Sequence, residues 1–334
     1  MTAPVAPSLV KSLVTDTTTV RLRPRYEGAN ICTWIGFKHV NYLVEEALLV
    51  HFAGCGLSAR VLYEELGLGL DVVDLDTHIL RALHMDDEAE AEVVPAVREH
   101  EGELAFTVTL RVVRDGVRRK AATATARVSL RVDTFFGDPG HVPAELAPYA
   151  VPRLGADLAG VPAPPPAAAA AALASGAGEQ AVLDALTAGR NAYAWRWTVP
   201  YTYCHFSERL QMSGYLRLME EAKDRFVAAR GISIRSLLDD RRWIPVVPRS
   251  SLRMLGEALM EEELYTVFTV EEVFKDFTYT ARMDCYAVQG RRLRRVATGS
   301  IVHGYAVIEG RRDWRLTSLD QRVLRALAGQ PGGT

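Results

Sequence analysis

Two kinds of side chain in this chain can move a proton near neutral pH, and they fall at related places. His205 stands in the run Tyr203-Cys204-His205-Phe206-Ser207, just ahead of an apolar-periodic segment that begins near Ser213. A neutral imidazole there can serve as a general base, while the first amides of a helix polarise a carbonyl. The plain alternative is a loop histidine packed against Phe206. Glutamates occur as adjacent pairs, Glu45-Glu46 and Glu220-Glu221, each inside an amphipathic run. On a helical wheel drawn from the apolar stripe, Glu46 and Glu221 flank the buried edge, and Glu45 and Glu220 point farther away. A carboxyl at the rim of an apolar site has a raised pKa, which suits acid–base work; a solvated helix face is the alternative. The expected catalytic residues are therefore His205, Glu46 and Glu221.

Other groups have weaker credentials. The segment Gly28-Ala29-Asn30-Ile31-Cys32-Thr33-Trp34 occupies a loop like that of His205 but has neither histidine nor carboxylate, so a single working site is expected. Cys32 and Cys204 are nucleophiles if a helix terminus lowers their pKa, and otherwise small buried hydrophobes. Asn30, Cys204, Ser207, Tyr42 and Tyr215 are expected to line the substrate. His51 lies on an apolar stripe and reads as a packed histidine. His78, His84, His100, His141 and His303 are scattered singly, with no spacing that suggests a metal. Gly67 and Gly69 open a strand rather than a helix, so no nucleotide fingerprint is present. No cofactor is expected. Arg241-Arg242, Arg291-Arg292 and Arg294-Arg295 are either a solvated face or a grip for phosphates.

The elements that must position these groups come in two copies. A shift of 175 residues aligns Leu43–Val72 with Leu218–Val247 without a gap and with ten identities in 30 positions, among them Glu45/Glu220, Glu46/Glu221, Gly56/Gly231 and Ser58/Ser233. That is an internal duplication. Each copy predicts a strand (18–25; 193–203), an amphipathic helix (37–53; 213–230), a helix-capping glycine and a short second helix. Period-two strands follow, with turn signals at Asp115-Gly116 and Gln289-Gly290. Between the copies the chain is rich in alanine and proline. The expected division is residues 1–136, an Ala/Pro linker with a short helix over 137–192, residues 193–312, and a tail over 313–334. The class is α+β, with one long helix and an antiparallel sheet in each copy.

This order of elements resembles the hotdog fold, here in tandem, as in double-hotdog thioesterases and dehydratases. Arg209–Phe226, RLQMSGYLRLMEEAKDRF, resembles the HVNNxxYLRLxEEA segment of the 4-hydroxybenzoyl-CoA-type and acyl-ACP thioesterases, most closely over Tyr215–Ala222. The carboxylate of that pattern falls on His205, its histidine on Arg209 and its first asparagine on Gln211. His205-Phe206, Met212, Gly214 and Leu216 also resemble the HFxGxPVMPGxL segment of FabA/FabZ dehydratases, whose helix acid falls on Met219, one place before Glu220. His39-Val40-Asn41 looks like the thioesterase HVN, but the duplication aligns it with Gly214-Tyr215-Leu216, so it reads as coincidence. The resemblance implies acyl thioesters carried on coenzyme A or an acyl carrier protein. It implies sites between two hotdogs, with Glu46 acting alongside His205. The leading expectation is a thioesterase of a bacterial polyketide or lipid pathway. The alternatives are a dehydratase, hydratase or related lyase on a β-hydroxyacyl thioester, and a non-catalytic double hotdog that binds an acyl carrier or ligand.

Composition narrows the setting. The chain has 334 residues, with 39 basic against 41 acidic ones, so it lacks the positive field of a nucleic-acid binder. No run of eighteen apolar residues suggests a membrane span, and the N-terminal stretch has no apolar core of a signal peptide. Four cysteines with no close pair fit reduced thiols, hence a cytoplasmic protein. Self-association through the sheets is a further expectation.

Overall fold

A computed structural model describes residues 7–96, 104–135, 142–155, 164–204 and 207–329. The chain divides into two compact units, Met1–Leu158 and Ala159–Thr334.

The first unit opens with helix α1 (Pro7–Thr15) and strand β1 (Thr18–Leu22), then the long helix α2 (Phe37–Gly54) and a short one, α3 (Ala59–Leu66). Strands β2 (Leu68–Ile79), β3 (Ala89–Pro95), β4 (Leu104–Arg114) and β5 (Val117–Val132) follow, with a two-residue strand β6 (Ala150–Val151). The order is β1-β3-β4-β5-β2, every neighbour antiparallel, with β6 parallel to β5. Sequence accounts for these boundaries. Gly56, at φ +74°, adopts the left-handed turn that ends α2. Ser58 caps α3, its hydroxyl accepting from the Val61 amide at 3.3 Å, and Gly67 closes α3 at φ +63°. Strand β4 alternates buried and half-buried residues, as a sheet with one core face must. Helix α2 lies on that face; Val44, Ala47, Leu48 and Phe52 are all fully buried, and the Phe52 and Phe106 rings meet at 5.7 Å. Burying each such Leu or Phe contributes about 2–3 kcal/mol.

The second unit repeats this plan. After α4 (Ala167–Ser175) and α5 (Glu179–Thr187) come β7 (Ala192–Thr198), α6 (Met212–Ala229), α7 (Ile234–Arg241) and β8 (Trp243–Met254). Then follow β9 (Glu263–Phe274), β10 (Thr278–Gln289), β11 (Arg292–Ile308), β12 (Trp314–Thr317) and α8 (Gln321–Leu327). Its order, β7-β9-β10-β11-β8, is that of the first unit, with β12 added beside β11. Helices α2 and α3 and strand β2 correspond to α6, α7 and β8 residue for residue at the displacement of 175. Ser233 caps α7 as Ser58 caps α3, and Arg242 takes the left-handed position of Gly67, at φ +56°. Each unit is a long helix laid on an antiparallel sheet, so the fold is a tandem hotdog of the α+β class.

The stretch expected as linker holds two helices, and the expected tail holds β12 and α8. Ala169, Val182 and Leu186 are fully buried, in a cluster with Tyr265, Val267, Tyr286 and Leu293. A wheel search for large apolar residues passes over α4, because alanine buries little area yet lets a helix approach a sheet closely. Val323, Ala326 and Leu327 anchor α8.

Candidate active site

In each unit the chain enters its long helix through the same short loop. In the first, Ala29 bridges to Ile35, and the Asn30 amide donates to the Trp34 carbonyl at 2.7 Å. The Gly36 amide donates to the Gly28 carbonyl at 2.9 Å and closes the loop. Cys32 has φ +81°, a backbone that residues with a Cβ rarely adopt. Asn30 and Thr33 are exposed and Cys32 is half-buried. Burial raises the Cys32 thiol, so it is no ready thiolate. Gly36 offers no side chain to cap α2, and the His39 and Val40 amides donate back to its carbonyl at 3.0 and 3.2 Å.

This loop meets a histidine after all. The β2–β3 connection runs against it: Trp34 bridges to His84, the Met85 amide donates to the Thr33 carbonyl at 2.8 Å, and the Ile35 amide to the Leu83 carbonyl at 2.8 Å. Thr33 Oγ1 lies 3.1 Å from His84 Nδ1, so in the tautomer with Nδ1 unprotonated the hydroxyl donates to the ring. Asp87 accepts from the His84 amide at 2.7 Å and is clamped by both terminal nitrogens of Arg114. Burial raises Asp87, but the bonds from Arg114 and the His84 amide outweigh it and hold the carboxyl below its usual range. Burial, then the Arg114 charge, lower His84 against the pull of Asp87, which keeps the imidazole neutral and able to accept a proton. In the sequence His84 is one of several scattered histidines. It lies 51 residues from Thr33, so no sequence spacing announces the contact.

On α2 the glutamates reverse the wheel's assignment. Glu46 is exposed, whereas Glu45 is half-buried. Burial, with Glu46 and Asp71 adding repulsion, pushes the Glu45 carboxyl up to about 7. Val40, Leu43, Val44, Ala47 and His51 form one buried stripe along α2. The buried face also includes Asn41, Leu48 and Phe52, which widen it on the side of Glu45. Tyr42 is half-buried, its ring 4.9 Å from that of His39. The look-alike His39-Val40-Asn41 is wholly buried and structural: a Cβ on Gly28 would stand 2.6 Å from the His39 ring, and the Asn41 amide donates to the Phe37 carbonyl at 3.0 Å. His51 is packed as expected. Its Nε2 lies 2.9 Å from the Leu13 carbonyl and its Nδ1 2.8 Å from the Thr18 hydroxyl.

In the second unit, His205 and Phe206 lie outside the described residues. Around them, Cys204 bridges to Leu210 and is buried, its Sγ 3.6 Å from the Glu208 carbonyl. Burial, then Glu208, raise that thiol. Ser207 is half-buried, and Arg209, at the position of the thioesterase histidine, is buried. Tyr215 is fully buried, and its hydroxyl has no partner among the described residues. Glu221 pairs with Arg225 one turn on, at 2.7 Å, on a half-exposed face where Arg225 also lies 5.1 Å from the Trp195 ring. Gln211 heads α6 without a side-chain cap, and its amide donates to the Tyr203 carbonyl at 3.3 Å. Among the described residues no group of His, Cys, Asp and Glu is arranged to hold a metal ion, and no helix is long and apolar enough to cross a membrane.

No protein-family model matches the chain, and no curated protein is significantly similar in sequence. Solved structures do match in fold. A protein assigned as an oleoyl thioesterase from Lactobacillus plantarum aligns over 92% of this chain and 98% of its own, with a TM-score of 0.57 and 12% identity. The 12:0-ACP thioesterase from Umbellularia californica aligns over 90% and 98%, at TM-score 0.54 and 12% identity. An acyl-ACP thioesterase from Bacteroides thetaiotaomicron aligns over 88% and 99%, at TM-score 0.52 and 9% identity. At such identities the likeness establishes the tandem hotdog fold.

Proposed function

We propose that this chain hydrolyses acyl thioesters carried on coenzyme A or on the phosphopantetheine of an acyl carrier protein. The observation that carries the reading is the fold match along nearly the whole chain, both hotdog units included, to structures described as acyl-ACP and oleoyl thioesterases. In the proposed reaction a general base takes a proton from water, the hydroxide attacks the thioester carbonyl, and helix-start amides hold the oxyanion. Collapse of the tetrahedral adduct breaks the C–S bond and releases the thiol, protonated by the same base. His205 is the proposed base, with Glu46 and Glu221 as the carboxylates first in line. Glu45, poised near 7, is a better acid–base group than either. Asn30 and Tyr42 in the first unit, and Cys204, Ser207 and Tyr215 in the second, are the proposed substrate-contacting residues. The reading carries with it a cytoplasmic setting in bacterial polyketide or lipid metabolism, self-association through the sheets, and no resident cofactor.

The test is thiol release from a panel of acyl-CoA and acyl-carrier thioesters. His205→Ala should lower kcat by about 10²-fold or more while leaving the melting temperature unchanged. Absence of release above background across the panel sinks the hydrolase reading. Intact-mass measurement on the same samples identifies a lyase instead, by loss of water with the thioester retained.

A further inference from the structure

Four core positions of the first unit, Leu48, Leu104, Val128 and Leu130, are buried and wholly apolar. At the displacement of 175 the second unit places Lys223, Tyr279, His303 and Tyr305 there, all equally buried. The correspondence extends to strand register. Leu104 faces Val128 across β4 and β5, and Tyr279 faces His303 across β10 and β11, the two rings stacked with centroids 5.2 Å apart. Among the described residues neither nitrogen of His303 has a hydrogen-bond partner. The two phenols interact with one another through their hydroxyls, Tyr305 raising Tyr279 and Tyr279 lowering Tyr305, which leaves the imidazole as the unpartnered group. Burial, then the Lys223 charge, keep His303 neutral. The Lys223 ammonium pairs with Asp224, whose side chain is 51% exposed, so the cluster reaches from the core toward the surface. His303 also sits where the β8–β11 pairing skips register, a bulge of the kind that re-aims a side chain.

The fold has no need of this polarity, since the first unit builds the same backbone with three leucines and a valine. Buried polar atoms without partners are costly, and each calls for an explanation outside the chain's own packing. The chemistry of the missing partner can be read from the groups present. An ammonium, two phenols and a neutral imidazole are all donors, so they suit a ligand with acceptor oxygens. A chain of methylenes would leave the His303 nitrogens unpaired.

We propose that Lys223, Tyr279, His303 and Tyr305 form a polar pocket inside the second unit for an oxygen-bearing acyl chain, a keto- or hydroxyacyl group in preference to a saturated one. The identity of the ligand rests on the acyl-thioester reading above; the pocket itself does not require hydrolysis. The test uses the full chain and two acyl-CoA thioether analogues, which no hydrolase cleaves. They are matched in chain length, one saturated and one bearing keto groups along the chain. Calorimetry should show the oxygenated analogue binding at least about tenfold more tightly to the parent protein. The triple variant His303→Val, Tyr279→Leu, Tyr305→Leu restores the residues of the first unit, and should lose that preference while holding the saturated analogue within about twofold. Should the triple variant not fold, His303→Val alone carries the comparison.

Equal affinity of the parent for the two analogues, failure of both to bind, or a preference that survives the substitutions would overturn the pocket. Thiol release is scored separately. A binding preference without cleavage of any thioester leaves the pocket standing and removes the hydrolase, and cleavage without any preference between chains does the reverse.

Discussion

Where the first unit has His51, the second has Phe226; where the first has Asn41 and Thr77, the second has Leu216 and Leu252. These polar groups of the first unit are tied down. The His51 ring joins the Leu13 carbonyl of α1 and the Thr18 hydroxyl of β1 to α2, and the Thr77 hydroxyl donates to the Asn41 side chain at 2.6 Å. The second unit concentrates its buried polarity elsewhere, at Lys223, Tyr279, His303 and Tyr305, and there His303 has no partner among the described residues. One backbone thus carries two patterns of core polarity. In the first unit the polar groups act as ties between elements; in the second, His303 is buried without such a tie.

Exchanging residues between sister positions can break this contrast. The largest effect is expected from His51→Phe, which orphans the Leu13 carbonyl and the Thr18 hydroxyl and should cost about 2–4 kcal/mol in urea unfolding. A cost below about 0.5 kcal/mol would mean that the tie is not structural. Glu45→Gln comes next. The carboxyl is raised from 4.5 to about 7 in the folded state, so its contribution favours folding below pH 4.5, declines as pH rises, and is lost above 7. The variant should match the parent near pH 4 and exceed it by about 1–3 kcal/mol at pH 8, with Glu220→Gln as the sister-position control. A difference that does not change with pH would remove Glu45 as a titrating group. Smaller still is Arg242→Gly, which puts the glycine of the first unit into a left-handed cap and should stabilise by about 0.5–1 kcal/mol. The smallest is His303→Val, expected to be neutral or slightly stabilising, because it removes polar atoms that nothing satisfies. A loss of more than about 2 kcal/mol would show His303 to be tied like His51.

The elements that were legible in the sequence were those written twice. Helices α2 and α6 fall within a residue of the expected 37–53 and 213–230, because apolar spacing and a capping glycine recur at the same offset in both copies. What escaped depended on contacts rather than periodicity. Helix α4 packs through small alanines, which leave no apolar stripe to find. The Thr33–His84 pair forms between a loop and a distant strand connection. Glu45 lies on the buried side because Asn41, Leu48 and Phe52 broaden the face of α2, and a wheel drawn from one stripe cannot register that breadth. The cluster around His303 was open to view, since aligning the copies sets Lys223 against Leu48; the comparison simply has to extend beyond the segment of obvious identity.

Two sheets and two helices of matched length in one chain pose a problem of recognition during folding. Helix α2 has the same number of residues as α6, and nothing in their lengths directs either to its own sheet. Their side chains do discriminate. Placed on the second sheet, α2 would bring His51 to the place of Phe226, without the Leu13 carbonyl, and would set Leu48 against His303. Placed on the first, α6 would bury Lys223 among leucines with no route to water. Each wrong pairing strands a polar group that the right one accommodates. The residues by which the copies differ thereby set a cost on any exchange of the two helices.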